Sequence, residues 1–110
     1  MNDRDMVHIE RIKDELFFIN EVLYGKNKEI FMGEKIIQHA ICMALITIGE
    51  CAKHLSVEFK EKNSKLEWEQ IVAVRNIAAH GYWQLNMQYI WQAMIDDVPK
   101  LVEFFDGIPT

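Results

Sequence analysis

Proline and glycine are scarce, with two and five in 110 residues. Little therefore interrupts regular backbone, and long elements are expected. Cysteine is too rare for a disulfide framework. Cys42 and Cys51 fall inside an apolar helical pattern, where buried thiols usually sit. No basic lead runs into an apolar stretch at the start, so no signal peptide is expected. No apolar run is expected to reach membrane-spanning length. These absences point to a cytoplasmic protein with no membrane association. No Gly-rich phosphate loop is present, which excludes a P-loop nucleotide site. Cations are outnumbered: 12 Lys and Arg face 17 Asp and Glu, a formal net charge of −5. A general nucleic-acid coat protein would be basic, so any RNA contact must be local, in a small cationic cleft. The densest basic stretch, residues 53–65, also holds Glu58 and Glu61 and reads as a solvated loop.

What is present is helical periodicity. Half of the chain is hydrophobic, enough for one compact domain spanning residues 1–110. Met6, Ile9, Ile12, Leu16, Ile19 and Leu23 recur at spacings of three and four, predicting a helix over residues 3–24. Gly25 breaks it. A second helix is expected to start between residues 28 and 34 and to end near residue 55. Its apolar residues cover most of its circumference, which places it at the centre of the fold or at a subunit interface. Residues 56–66 read as a polar loop, with room for helical continuation at its start. A third helix is expected over residues 67–79, then a turn over 81–85 with Asn86 as N-cap. A fourth runs to about residue 105, with Ile90, Ala93, Met94, Leu101, Phe104 and Phe105 inward and Pro99 bending or breaking it. No strand alternation or internal repeat is visible. The fold class is all-α, an antiparallel bundle of four to five helices.

The most informative string is Arg75-Asn76-Ile77-Ala78-Ala79-His80-Gly81-Tyr82. It brings a permanent cation, an amide, an imidazole and a phenol within two helical turns. Arginine grips phosphoryl oxygens with a planar fork, and histidine exchanges a proton near neutral pH. Arg75 and His80 lie roughly 140° apart around an ideal helix, so they do not share a face. Asn76 and His80 do, as an i,i+4 pair. If Gly81 ends the helix, His80 sits in its last turn, Tyr82 follows in a loop, and Arg75 has room to lie along Ala78 and Ala79 toward them. A lone arginine and histidine on a helix are most often a solvated pair, and spacing alone leaves the two accounts undecided.

The stretch from Trp68 through Arg75, Asn76, His80, Gly81 and Tyr82 to Trp83 resembles the HepT-like family of the HEPN superfamily, whose members carry Arg-x-x-x-x-His-x-Tyr. Ile48-Gly49-Glu50-Cys51-Ala52-Lys53-His54-Leu55-Ser56 is similar to the family's Ile-Gly-Glu-Ala-Ala-x-x-Leu-Ser. Trp91 with Val98-Pro99-Lys100-Leu101 is a weaker match to its closing helix. Glu67 stands where the family often has proline, which affects only the helix start. The resemblance implies a HEPN-like helical toxin, usually dimeric, with metal-independent ribonuclease activity. It implies an antitoxin that is a minimal nucleotidyltransferase and attaches AMP to the motif tyrosine. It assigns catalysis to Arg75 and His80, the polar position beside the arginine to Asn76, and AMPylation to Tyr82.

Other constellations carry less. His39-x-x-Cys42 and Cys51-x-x-His54 look like zinc half-sites, but on one helix they are centred about 18 Å apart and cannot share an ion. No metal site or cofactor is expected. Glu50 interrupts the apolar helix beside Gly49. It is either a boundary carboxylate or a supporting residue that orients Arg75 or His80, since a buried carboxylate rarely goes unpaired. Trp83 and Tyr82 are suited to base stacking, and Trp83 equally to the core. Two functions follow: a ribonuclease toxin acting as a homodimer on RNA, or a non-catalytic helical partner of a nucleotidyltransferase that binds nucleotide phosphates through Arg75 and His80.

Overall fold

Asn2 starts the first helix: its Oδ1 accepts the backbone N–H of Asp5 at 2.7 Å, and α1 (Asp3–Leu23) follows. The structure, a computed structural model, describes residues 2–80 and 84–109. After α1 come α2 (Lys28–Gly33), α3 (Lys35–His54), α4 (Val57–Lys62), α5 (Trp68–Ala79), α6 (Gln84–Asp96) and α7 (Val98–Asp106). No strand occurs among the described residues. The five longer helices form the all-α bundle expected from periodicity; α2 and α4 are short connecting pieces.

The α1 stripe is inward as its spacing predicts, with Ile9, Ile12, Leu16 and Ile19 buried. Gly25, at φ +73°, makes the turn after the helix, a conformation glycine adopts without a side-chain penalty. The single second helix of the sequence reading is divided. Glu34 is extended, at φ −116° and ψ 98°, and separates α2 from α3. Buried Gln38 holds the break by donating from Nε2 to the carbonyls of Phe31 at 2.8 Å and Met32 at 3.0 Å, at a helix end where carbonyls lose their i+4 partners; the Phe31 carbonyl also accepts the Glu34 N–H at 3.4 Å. The expected polar loop contains α4, begun by Ser56, whose Oγ accepts the N–H of Phe59 at 3.1 Å. The Pro99 helix is broken at Asp97, with Pro99 in the first turn of α7, where a missing N–H costs nothing. Asn86 is not a cap, because α6 already begins at Gln84.

α3 is the central helix. Its neighbour on one side is α1, on the other α5. His8 of α1 stacks on His54 near the end of α3, with ring centroids 5.6 Å apart, which sets the two helices antiparallel. By length and composition α3 is apolar enough to cross a membrane, which corrects the expectation that no segment reaches that length. Half of it is buried inside the bundle, and the core helix of a helical domain meets the same test. Its outer face is not covered: Ile36 is 83% exposed and Met43 62%. At one end of the bundle Trp68 packs edge-on to Phe59, Phe104 and Phe105 and donates its indole N–H to the Asn63 carbonyl at 3.2 Å. That anchors the start of α5.

Candidate functional site

α5 buries little. Of its twelve residues only Val74 and Ala78 are fully buried. Trp68, Ile71 and Ile77 are partly buried and pack against the core. At Gly49 α3 approaches α5 closely. A Cβ built there would lie 2.5 Å from Arg75 Cγ and closer still to Arg75 Cβ. Only glycine leaves room for the arginine stem. Ala52 of α3 shares a surface depression with Trp68 and Val72 of α5, so the pair runs antiparallel and Arg75 falls opposite Gly49.

The guanidinium lies beside the next residue of α3. Arg75 Nη2 is 2.5 Å from Glu50 Oε1, with the two side chains 27% and 39% exposed. Arg75 Nη1 donates to Asn76 Oδ1 at 3.0 Å. Glu50 and Arg75 form an ion pair by distance but not an aligned one. Buried Glu50 Oε1 and buried Arg75 Nε both lack a hydrogen bond of good geometry. A bidentate fork, the strong arrangement for this pair, is not formed.

His80 is the C-cap of α5, its N–H bonded to the Ile77 carbonyl at 3.2 Å. Its side chain is exposed, as are Asn76 and Ala79. Asn76 and His80 therefore share the solvent side of the helix end, one turn apart. Arg75 does not run along Ala78 toward His80. Ala78 is core, 1% exposed, and the arginine leans across to α3, because Gly49 opens that path and Glu50 supplies the charge. The structure thus brings Arg75, Asn76 and Glu50 together. No hydrogen bond or ion pair among the described residues links His80 to them. Gly81, Tyr82 and Trp83 lie outside the described residues, and with them the tyrosine expected to accept AMP and the aromatics expected to stack on bases.

Both thiols are buried. Burial pushes the Cys42 thiol up to about 11. Cys51 is also raised, first by burial, with Glu15 and Glu50 adding to the rise and Arg11 opposing it. A metal-ligating cysteine is a thiolate, and these environments favour the neutral form. Among the described residues no group of three or more His, Cys, Asp or Glu is placed to hold a metal. One buried acid escaped the sequence reading. Asp5, 3% exposed, accepts the N–H of Ser56 at 2.8 Å and its Oγ–H at 2.7 Å. Its role is to fasten α1 to α4. Gly49 was legible as part of a motif, but its meeting with Arg75 was not.

Residues 12–108 match the family model described as Ribonuclease HepT-like. A Caldanaerobacter subterraneus subsp. tengcongensis protein named "Putative RNase" is 33% identical over 94 residues, covering 86% of this chain and 84% of its own length. One of the same name from Methanocaldococcus jannaschii is 30% identical over 93 residues, 84% of this chain and 82% of that protein. The "Probable ribonuclease HepT" of Thermococcus cleftensis is 26% identical over 101 residues and spans 92% of both chains. No solved structure matches. An all-helical bundle with an arginine, an amide and an exposed histidine at one helix end is the class of protein defined here. The chain belongs to the HepT-like ribonuclease family.

Proposed function

We propose that this chain is the toxin of a toxin–antitoxin pair, a metal-independent endoribonuclease that acts in the cytoplasm. The observation that supports it most is the end of α5. There a guanidinium is held against α3 and, five residues further along the chain, an exposed histidine caps the helix, in a chain of a ribonuclease family. RNA carries its own nucleophile. When a base takes the 2′-hydroxyl proton, O2′ attacks the adjacent phosphorus, a cyclic phosphodiester forms, the P–O5′ bond breaks, and O5′ receives a proton. His80 is suited to one of these proton transfers. Arg75 holds the phosphate and stabilises the added charge, and Asn76 fixes the arginine or the phosphate. Two transfers need two groups. A homodimer built on the exposed face of α3 supplies a second His80 and doubles the local positive charge, which offsets the acidic composition.

Control falls to Tyr82, the acceptor of AMP from a minimal nucleotidyltransferase antitoxin. A phosphate attached there would pair with Arg75 and take the place of the RNA phosphate. The alternative reading is a non-catalytic partner of such a nucleotidyltransferase. It is favoured by one observation: Arg75 is paired with Glu50 and does not reach His80. A ribonuclease assay on purified protein in EDTA, with His80→Ala as control, separates the two. Cleavage that disappears in the variant supports the toxin. Full cleavage by His80→Ala, with contaminating nuclease excluded, removes the catalytic assignment. Mass spectrometry after incubation with the antitoxin and ATP places the modification; AMP on Tyr24 or Tyr89 instead of Tyr82 defeats the proposed control.

A further inference from the structure

We propose that Gly49 and Glu50 make Arg75 a self-paired anion site, which a phosphate-bearing ligand occupies by displacing Glu50. This rests on the assignment of Arg75 to the substrate phosphate. The arginine stem is fixed by contact with Gly49, since a single added methyl would overlap its Cβ and Cγ. The head is fixed on one side by Asn76 Oδ1, 3.0 Å from Nη1. The other terminal nitrogen, Nη2, is occupied by Glu50. The carboxylate uses one nitrogen of the fork, while Nε stays buried without a hydrogen bond. The resting pair thus leaves donor capacity unspent. A phosphodiester offers two charged oxygens that can engage the fork together, which Glu50, in contact through Oε1 alone, does not do.

The two side chains are partly open to solvent, 27% and 39% exposed, although the paired Oε1 is buried. Ion pairs between exposed side chains shift an equilibrium by about fivefold, a cost that a bound phosphate can offset. Glu50 keeps the guanidinium ordered at the α3/α5 seam while no phosphate is bound. It is a positioning residue that acts through Arg75, as is Gly49.

The test is an NMR titration of the full chain with inorganic phosphate, following backbone amides of α5. It compares the wild type with Glu50→Gln, Gly49→Ala, Arg75→Ala and the Glu50→Gln/Arg75→Ala double variant. Glu50→Gln keeps the shape and removes the competing charge, so phosphate binds about fivefold more tightly. That gain vanishes in the Arg75→Ala background. Gly49→Ala weakens phosphate binding by moving the arginine. In RNA cleavage Glu50→Gln lowers KM, an effect that a purely structural role for Glu50 would not produce. Unchanged or weaker phosphate binding by a folded Glu50→Gln variant overturns the proposal. So does an equal gain in the Arg75→Ala background, which would mark a general charge effect. Tighter phosphate binding in Glu50→Gln with no RNA cleavage by the wild type supports the self-paired site and removes the ribonuclease reading. Cleavage by the wild type with unchanged phosphate affinity in Glu50→Gln does the reverse.

Discussion

The two flanks of α3 are built on different principles. Toward α1 the helix meets a continuous apolar row, with Ile9, Ile12 and Ile19 almost fully enclosed. Toward α5 apolar contact, with Ile71 and Ile77 partly buried and Val74 and Ala78 fully so, is joined by a salt bridge: Gly49 lies against the arginine stem and Glu50 against the guanidinium. Burial is non-directional and stabilises in proportion to area. An ion pair at a close-approach glycine adds little stability but fixes one side chain in one place. The first flank holds the molecule together and the second holds a guanidinium in position. The same helix can do both because its period gives each neighbour its own stripe.

That division is open to attack from either side. The largest effect is expected on the α5 flank, in activity. Arg75→Ala and His80→Ala each lower RNA cleavage by about 10²–10⁴-fold while the thermal melt stays near that of the wild type. A large fall in melting temperature in either variant would show that this flank also carries the fold. The opposite pattern is expected on the α1 flank. Ile12→Ala loses about 2–5 kcal/mol of stability in denaturant unfolding, with activity per folded molecule unchanged.

A smaller loss is expected at the buried Asp5. Asp5→Ala removes two acceptors from Ser56 and costs about 1–3 kcal/mol; no loss would mean that water replaces the carboxylate at little cost. The outer face of α3 gives a third contrast, since it meets neither neighbour. Light scattering at micromolar concentration is expected to show a dimer, and Ile36→Lys with Met43→Lys to yield monomers of lower activity. A strictly monomeric wild type with full activity removes the dimer.

The smallest effect is chemical. Burial favours the neutral Cys42 thiol and carries its pKa from 9.0 to about 11. Native protein at pH 8 therefore resists alkylation at Cys42. The sign for stability follows: the contribution is whole below pH 9, and it declines as pH rises from 9 toward 11, because the unfolded chain ionises first. Fast labelling of Cys42 in native protein would show that the core around α3 opens readily.

The sequence displayed the α1 flank far better than the α5 flank. Ile9, Ile12, Leu16 and Ile19 announce their burial through spacing, a local property of the chain. The division of α2 from α3 is not local. It depends on the Gln38 amide reaching the carbonyls of Phe31 and Met32, which no periodicity records. α4 was faint because it is short and mostly polar. Asn86 looked like a cap because asparagine favours that position, but helix α6 starts upstream of it. At the site, the residue types were visible and the direction of Arg75 was not. Reading along α5 offered Ala78 and Ala79 as its path. The true path runs to another helix, 25 residues earlier in the chain, as the pairing with Glu50 shows. A glycine next to a carboxylate inside an apolar helix was the one mark of that meeting.

The Asp5–Ser56 clasp has a consequence at a distance. Ser56 receives Asp5 and also starts α4 through Phe59; Phe59 touches Trp68, the first residue of α5. A relay of three contacts thus joins the opening turn of the chain to the foot of the helix that bears Arg75. Proteolytic trimming of the first five residues would leave the apolar row of α1 intact, yet it would unseat the support of a helix more than sixty positions downstream. In this molecule the amino terminus acts as a foundation stone for a distant pillar.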